Sequence, residues 1–300
     1  MVEDEDTESV HIQDSDKQAV KSSLVKKGRK SIAYLQKKKD SGEKIVQYCP
    51  AHLDPYWTLA AEMAGVDIVR YTAPGETIEH RIANLPWWTR ELRRVAQYVH
   101  LNAYLQTPEF ANKYKALERA SILMAEGADS ILPMGVNLET LEYLADNHIV
   151  VFGHVGALSG WQTAAHGGYK RCGQTAETAM EIYQQAYDYQ EAGMMGMTIE
   201  LTPREVTDAI AKKLRVPVVA VAAGGAADGS ELVHFDLFGM MPVGRTGAHA
   251  KVYANFFEFA AGAIGAFGRE VQSGAYPQPE HGYGMKAEEL DKFLDLLEKK

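Results

Sequence analysis

A (β/α)₈ barrel is the fold this sequence predicts, and three observations predict it. A short apolar run followed by an amphipathic run recurs about eight times after Lys44. Strands alternating with helices imply a parallel sheet, and about eight such units suit a TIM barrel. No G-x-G-x-x-G follows the first strand candidate, and no G-x-x-x-x-G-K-[ST] occurs anywhere. That disfavours the runner-up, a doubly wound open sheet built to hold a nucleotide.

The elements follow in order. Residues 1–24 are polar and acidic and read as a disordered tail, leaving 25–300 for the barrel and its C-terminal helices. Lys26–Asp40 (KKGRKSIAYLQKKKD) is basic and helix-prone, its charge run a solvated helix face. The strand candidates are Ile45–Tyr48, Asp67–Tyr71, Val99–Leu105, Ser130–Pro133, Ile149–Val155, Met195–Leu201 and Val216–Ala222, with a weak last one at Leu237–Met240. Between them, Thr175–Glu191 carries Ala179, Tyr183 and Tyr187 at helical spacing. Lys212-Lys213 sits where cations favour a helix end. Thr202-Pro203-Arg204-Glu205 has the form of a capping box that starts a helix. Lys251–Val271 reads as a long helix rich in Phe and Ala, which wants a large apolar partner. A homo-oligomer is therefore expected.

Composition narrows the function. The net charge of -9 repels a phosphate backbone, and no basic face carries interleaved aromatics, so nucleic acid is not an expected partner. No run approaches the roughly 18 apolar residues of a membrane span. The acidic N-terminus has no apolar core segment and does not read as a signal peptide, which points to the cytoplasm. Cys49 and Cys172 make neither a disulfide framework nor a zinc site. The expected partner is a small molecule.

One stretch asks what an acid is for. GMMGMTI is apolar enough for a buried strand, yet it ends on Glu200, just where a helix begins. In this barrel, chemistry sits at the carboxyl ends of the strands, so Glu200 is a candidate catalytic acid/base. A salt-bridged surface carboxylate is the plain alternative.

GHVGALSGWQTAAHGGYKRCGQ (153–174) resembles the G-H-[LV]-G-L…G-G-[YF]-K…G signature of the ketopantoate hydroxymethyltransferase family. The similarity continues through IELTP, VPVVAVAAGGAADGSELVHFDLFGM (216–240) and VQSGAYPQPEH (271–281). Membership would place the chain in the phosphoenolpyruvate mutase and isocitrate lyase superfamily, which implies a (β/α)₈ barrel and oligomers. The family's reaction adds a hydroxymethyl group from methylenetetrahydrofolate to a branched 2-oxo acid. The resemblance implies that Glu200 works as acid/base.

The family holds Mg²⁺ with two aspartates and a glutamate at the ends of strands two to four. Its G-D-S aligns with Arg70-Tyr71-Thr72, its A-D-L-P with Ala103-Tyr104-Leu105-Gln106, and its K-I-E-G with Leu132-Pro133-Met134-Gly135. Tyr71, Tyr104 and Met134 thus stand where the ligands would be. Mg²⁺ demands hard oxygen ligands, so no cofactor is expected and Mg²⁺ or another divalent metal is disfavoured.

Three readings follow. In the first, a metal-free enzyme enolises a small carbonyl compound or carboxylate and makes or breaks a C–C bond, as a lyase or aldol-type catalyst. Glu200 moves the proton; Tyr71, Tyr104 and His154 donate to the enolate oxygen; Thr72, Met134 and Lys170 bind substrate, with Lys170 on a mobile lid. Aromatic packing is the plain alternative for both tyrosines. Hydroxymethyl transfer itself, metal-free or re-liganded, is the alternative activity. In the second reading, His52, Asp54, Glu76, Glu79 and His80 hold Zn²⁺, Mn²⁺ or Fe²⁺. The third is an inactive ligand-binding barrel. Cys172 reads as an inert thiol. Trp87, Trp88 and Trp161 read as packing residues, with an aromatic substrate as the other option.

Overall fold

The structure, a computed structural model, describes residues 28–159, 162–164, 167–225, 227–241 and 250–299. The predicted acidic tail and Trp161 lie outside the described residues.

The apolar runs form eight parallel strands: β1 (Ile45–Ala51), β2 (Ile68–Tyr71), β3 (His100–Leu105), β4 (Ser130–Pro133), β5 (Phe152–Gly156), β6 (Gly196–Glu200), β7 (Val218–Val221) and β8 (Gly229–Val233). Their order is β4-β3-β2-β1-β8-β7-β6-β5. An isolated parallel bridge between Ile131 and Val151 joins the two edges, so the barrel is nearly closed. The helices are α1 (Ile32–Ser41), α2 (Tyr56–Met63), α3 (Ile78–Val95), α4 (Lys113–Glu126), α5 (Leu138–Asp146), α6 (Ala176–Glu191), α7 (Arg204–Lys213), α8 (His234–Leu237), α9 (Phe256–Ser273) and α10 (Ala287–Glu298). Short polar side chains start five of them, where Ser31, Thr77, Asn112, Asn137 and Thr175 accept from backbone N–H groups of the first turn.

Strand alternation divides the core in two. Val69, Tyr71, Leu101, Ala103, Ile131 and Ile199 face outward and pack with helix residues such as Leu85, Leu123 and Leu144. Ile45, Ile68, Leu132, Phe152 and Val219 face inward. Leu35 of α1 plugs this inner cluster from below and is fully buried.

The basic run is therefore more than a solvated face. Lys30 and Lys38 reach Asp67 at the foot of β2, at 3.0 and 2.6 Å. Lys39 reaches Asp228 at the foot of β8, at 2.6 Å. Burial alone would push the Asp67 carboxyl up, but hydrogen bonds from Lys38, the Val46 N–H and Lys30 outweigh it and hold it below its usual value. The cations latch α1 under the barrel.

Three other expectations need correction. The eighth strand is Gly229–Val233, while Leu237 ends α8. Its polar Ser230 and Glu231 hide it from an apolar search, because Glu231 is an interior charge paired with Arg70. The capping box does not form: Leu201 takes a positive φ of 49°, and the chain enters α7 through Pro203 with no side-chain cap. Thr202 instead donates to the Glu200 carbonyl at 3.3 Å, and Glu205 pairs with Arg204. Helix α6 buries Ile182, Ala186, Tyr189 and Gln190, one row away from the predicted stripe.

Candidate active site

Backbone conformation marks the carboxyl rim before any side chain is considered. Ala51, Leu201 and Ala222 end or follow β1, β6 and β7 and adopt positive φ, as do Gly135 and Gly156 at β4 and β5. Strain of this kind in non-glycine residues persists where the surroundings over-determine it, commonly at functional sites. Gly156 has no alternative, since a Cβ there would lie 2.2 Å from the Glu200 carbonyl oxygen.

Glu200 ends β6 pointing inward and is buried. His154 on the neighbouring β5 places Nε2 at 3.3 Å from Oε2, and the Tyr169 hydroxyl donates to Oε1. Burial would raise the Glu200 pKa, but the His154 and Tyr169 hydrogen bonds and the Arg70 charge outweigh it and hold it below its usual value. Glu200 is thus an anion at neutral pH, ready to take a proton. His154 Nε2 faces a second acceptor, the Ala157 carbonyl at 2.8 Å. Two acceptors at one ring nitrogen put its hydrogen there, while buried Nδ1 has no partner among the described residues.

The opposite wall comes from β3 and β4. Tyr104 and Met134 face inward and join the inner cluster. Ser159 sets its N–H 3.3 Å from the Met134 sulfur. Burial pushes the Tyr104 pKa up, so the phenol keeps its proton and can donate.

Below Glu200 lies a charged layer that the sequence reading missed. Arg70 on β2 forms a two-pronged pair with Glu231 on β8, through Nε to Oε2 at 2.8 Å and Nη2 to Oε1. Gln47 on β1 donates to the same carboxylate. The Glu231 side chain has no exposure, whereas Arg70 keeps 13%. A cavity of 1110 Å³ runs from this layer to the flank between β1 and β8; Arg70, Glu231, Gln47, Glu200 and Tyr169 line its inner part. Arg70 and Glu231 were legible in one respect, as lone charges inside strand runs (IVRY, SELV). Tyr169 stands in the quoted G-G-Y-K stretch, beside the residue chosen instead.

The structure brings Glu200, His154, Tyr104 and Met134 to one mouth but not Tyr71. Its hydroxyl bonds the Thr89 hydroxyl of α3 at 2.7 Å, fully buried in the helix layer. Alternation decides this, because Ile68 and Arg70 face inward and Tyr71 must face out. Thr72 lies at the rim, its N–H donating to the Ala51 carbonyl. Lys170 is exposed beside Tyr169, which is the loop residue that reaches Glu200. His52, Asp54, Glu76, Glu79 and His80 are all exposed. Among the described residues no three His, Cys, Asp or Glu side chains converge as a metal set. Burial raises the Cys172 thiol, which fits an inert role. Trp88 packs in the helix layer, and Trp87 is half exposed beside it.

The donors at this mouth do not fit the Mg²⁺ site that the resemblance implies. A phenol and a thioether are poor ligands for a hard cation, and Arg70 already places a positive charge there.

The profile of the ketopantoate hydroxymethyltransferase family matches residues 29–279. The 3-methyl-2-oxobutanoate hydroxymethyltransferase 1 of Methylibium petroleiphilum is 30% identical over 284 residues, covering 91% of this chain and 95% of that protein. The 3-methyl-2-oxobutanoate hydroxymethyltransferase of Escherichia coli is 32% identical over 213 residues, 69% of this chain and 78% of its own. Among solved structures, 2,3-dimethylmalate lyase, a PEP mutase/isocitrate lyase superfamily member, is similar with a TM-score of 0.50 at 10% identity. The match covers 89% of this chain and 94% of that one, and speaks for the fold alone.

Proposed function

This chain belongs to the ketopantoate hydroxymethyltransferase family, and from that premise we propose that it forms a C–C bond between the enolate of a small 2-oxo acid and a one-carbon unit. The broader sequence reading, a lyase or aldol-type enzyme, uses the same enolate; the comparisons favour its alternative, hydroxymethyl transfer. The observation that carries the reading is Glu200, a buried carboxylate held ionised at the rim of the cavity.

The steps follow from the residues present. Glu200 removes the proton from C3 of the 2-oxo acid, and its electron pair moves onto the carbonyl oxygen as an enolate. His154 Nε2–H holds the carboxylate in place, and the Tyr104 hydroxyl is the neutral donor available to the developing oxyanion. Water releases the one-carbon unit from its donor, in the family methylenetetrahydrofolate, as formaldehyde and free amine; the enolate carbon adds to that carbonyl, and the new alkoxide takes the proton back from Glu200.

Proton exchange isolates the first step. In D₂O, 3-methyl-2-oxobutanoate should lose its C3 proton signal in the presence of the protein, and Glu200→Gln should not support this. With the one-carbon donor added, the hydroxymethylated acid should accumulate. Neither exchange nor product from any branched 2-oxo acid would sink the proposal.

A further inference from the structure

We propose that Arg70 is a catalytic residue of this site: its guanidinium, held by Glu231, takes the carboxylate and enolate oxygens of the bound acid from the barrel interior. The idea rests on the functional reading above and deepens it. An enolate of a 2-oxo acid carries negative charge on adjacent oxygens, and something must offset that charge at the base of the site. The mouth offers phenols, a thioether and a histidine there. Among the described residues, Arg70 puts a guanidinium beside Glu200 in the interior of the cavity.

Its geometry argues for use rather than filling. A charge inside a barrel loses its hydration, and an ion pair there is often no more stable than a packed apolar pair. Glu231 is fully sealed and holds Nε and Nη2, which fixes the plane of the guanidinium. Gln47 supports Glu231 from the next strand. Arg70 retains its exposure toward the cavity, which Glu200 also lines, and among the described residues its side-chain bonds run through Nε and Nη2 and leave Nη1 without an acceptor. A pair made only for packing would seal both partners. A planar fork with a free edge is instead matched to a carboxylate.

The neighbouring polar groups point the same way. Asn102, beside Arg70 in the β2–β3 register, is fully buried, and neither amide atom has a hydrogen-bond partner among the described residues. Gln47 Oε1 and His154 Nδ1 are likewise buried without partners among the described residues. Unmet polar atoms of this kind call for water or a ligand, since leaving them bare is costly.

Oxalate, a flat dianion shaped like the enolate of a 2-oxo acid, tests this by calorimetry in excess EDTA. Wild-type protein should bind it without metal. Removing Arg70 alone would strand Glu231, so the test variant replaces both, Arg70→Met with Glu231→Gln, its folding checked by circular dichroism. That variant should bind oxalate about 10²-fold more weakly, the scale of a hydrogen bond to a charged group. Arg70→Lys with Glu231 intact should lose less, since the charge stays and the fork goes. Undiminished oxalate binding in the folded double variant would overturn the inference, as would wild-type binding that needs added Mg²⁺ or no wild-type binding at all. C3 exchange that survives the double variant would leave the functional reading standing without Arg70. Oxalate held through Arg70 with no 2-oxo acid exchanged would do the reverse.

Discussion

Glu200 shows how competing effects set one residue's chemistry. Desolvation favours the neutral acid, but two hydrogen bonds and a nearby guanidinium favour the anion, and the anion wins. A folded pKa held below the ordinary 4.5 means that the base form is lost only under more acid conditions. The Glu200 carboxyl, assigned by NMR against Glu200→Gln, should therefore titrate below that value. Tyr169→Phe removes one donor to the anion and should move the titration upward; a downward move would mean the tyrosine acts otherwise. Tyr104→Phe should slow C3 exchange by about 10²-fold, as for one lost oxyanion donor. Tyr71→Phe is the internal control. Its hydroxyl serves the helix layer, so exchange should be unchanged and stability should fall by about 1 kcal/mol. Slower exchange in Tyr71→Phe would mean that the outward tyrosine reaches the chemistry.

At the scale of elements, the strands decide which residues meet and the turns decide where they stop. Strand β6 carries Glu200 inward, and the positive φ of Leu201 then turns the chain away. Glycine at 156 lets β5 approach this turn, where Ala157 N–H donates to the Glu200 carbonyl at 3.0 Å. Gly156→Ala should displace that carbonyl and suppress exchange, with the protein still folded by circular dichroism. The opposite rim is latched by α1. Since the folded Asp67 pKa is lowered, its contribution is complete above the unfolded pKa and lost as pH falls through the folded one. Asp67→Asn should cost about 3 kcal/mol at neutral pH and less in acid, measured by urea unfolding. An equal cost at both would show that the latch is not ionic.

For the whole molecule, the barrel leaves one flank bare. Outward-facing Val46 of β1 is 49% exposed, and Ser230 of the adjacent β8 is exposed too. Helix α9, which comes after β8 and the short α8, has no buried residue; its Phe259 and Ile264 are 71% and 69% exposed. An apolar helix left exposed among the described residues and an open apolar flank are complementary, and a second copy supplies both at once. The expected outcome is a homo-oligomer in which α9 covers the β1–β8 flank of a neighbour. Light scattering should show more than one chain per particle, and Ile264→Asp should dissociate it; a wild-type monomer at micromolar concentration would refute this. No helix among the described residues is long and apolar enough to cross a membrane.

The barrel was written in local pattern. Ser130–Pro133 matches its strand to the residue, and the other apolar runs except the eighth lie within a few residues of theirs, because a buried parallel strand must be apolar on both faces. Glu200 and His154 were legible for the same reason, as polar residues ending such runs. What local pattern cannot carry is which distant side chains share the interior. Tyr71 and Arg70 are neighbours in sequence, yet strand parity sends the tyrosine to the helices and the arginine to the site. Arg70 and Glu231 lie 161 positions apart, and each alone looks like a reason to doubt its strand. Only closing the barrel brings β8 round to β1 and within reach of β2, so that the two misplaced charges become one pair facing the cavity.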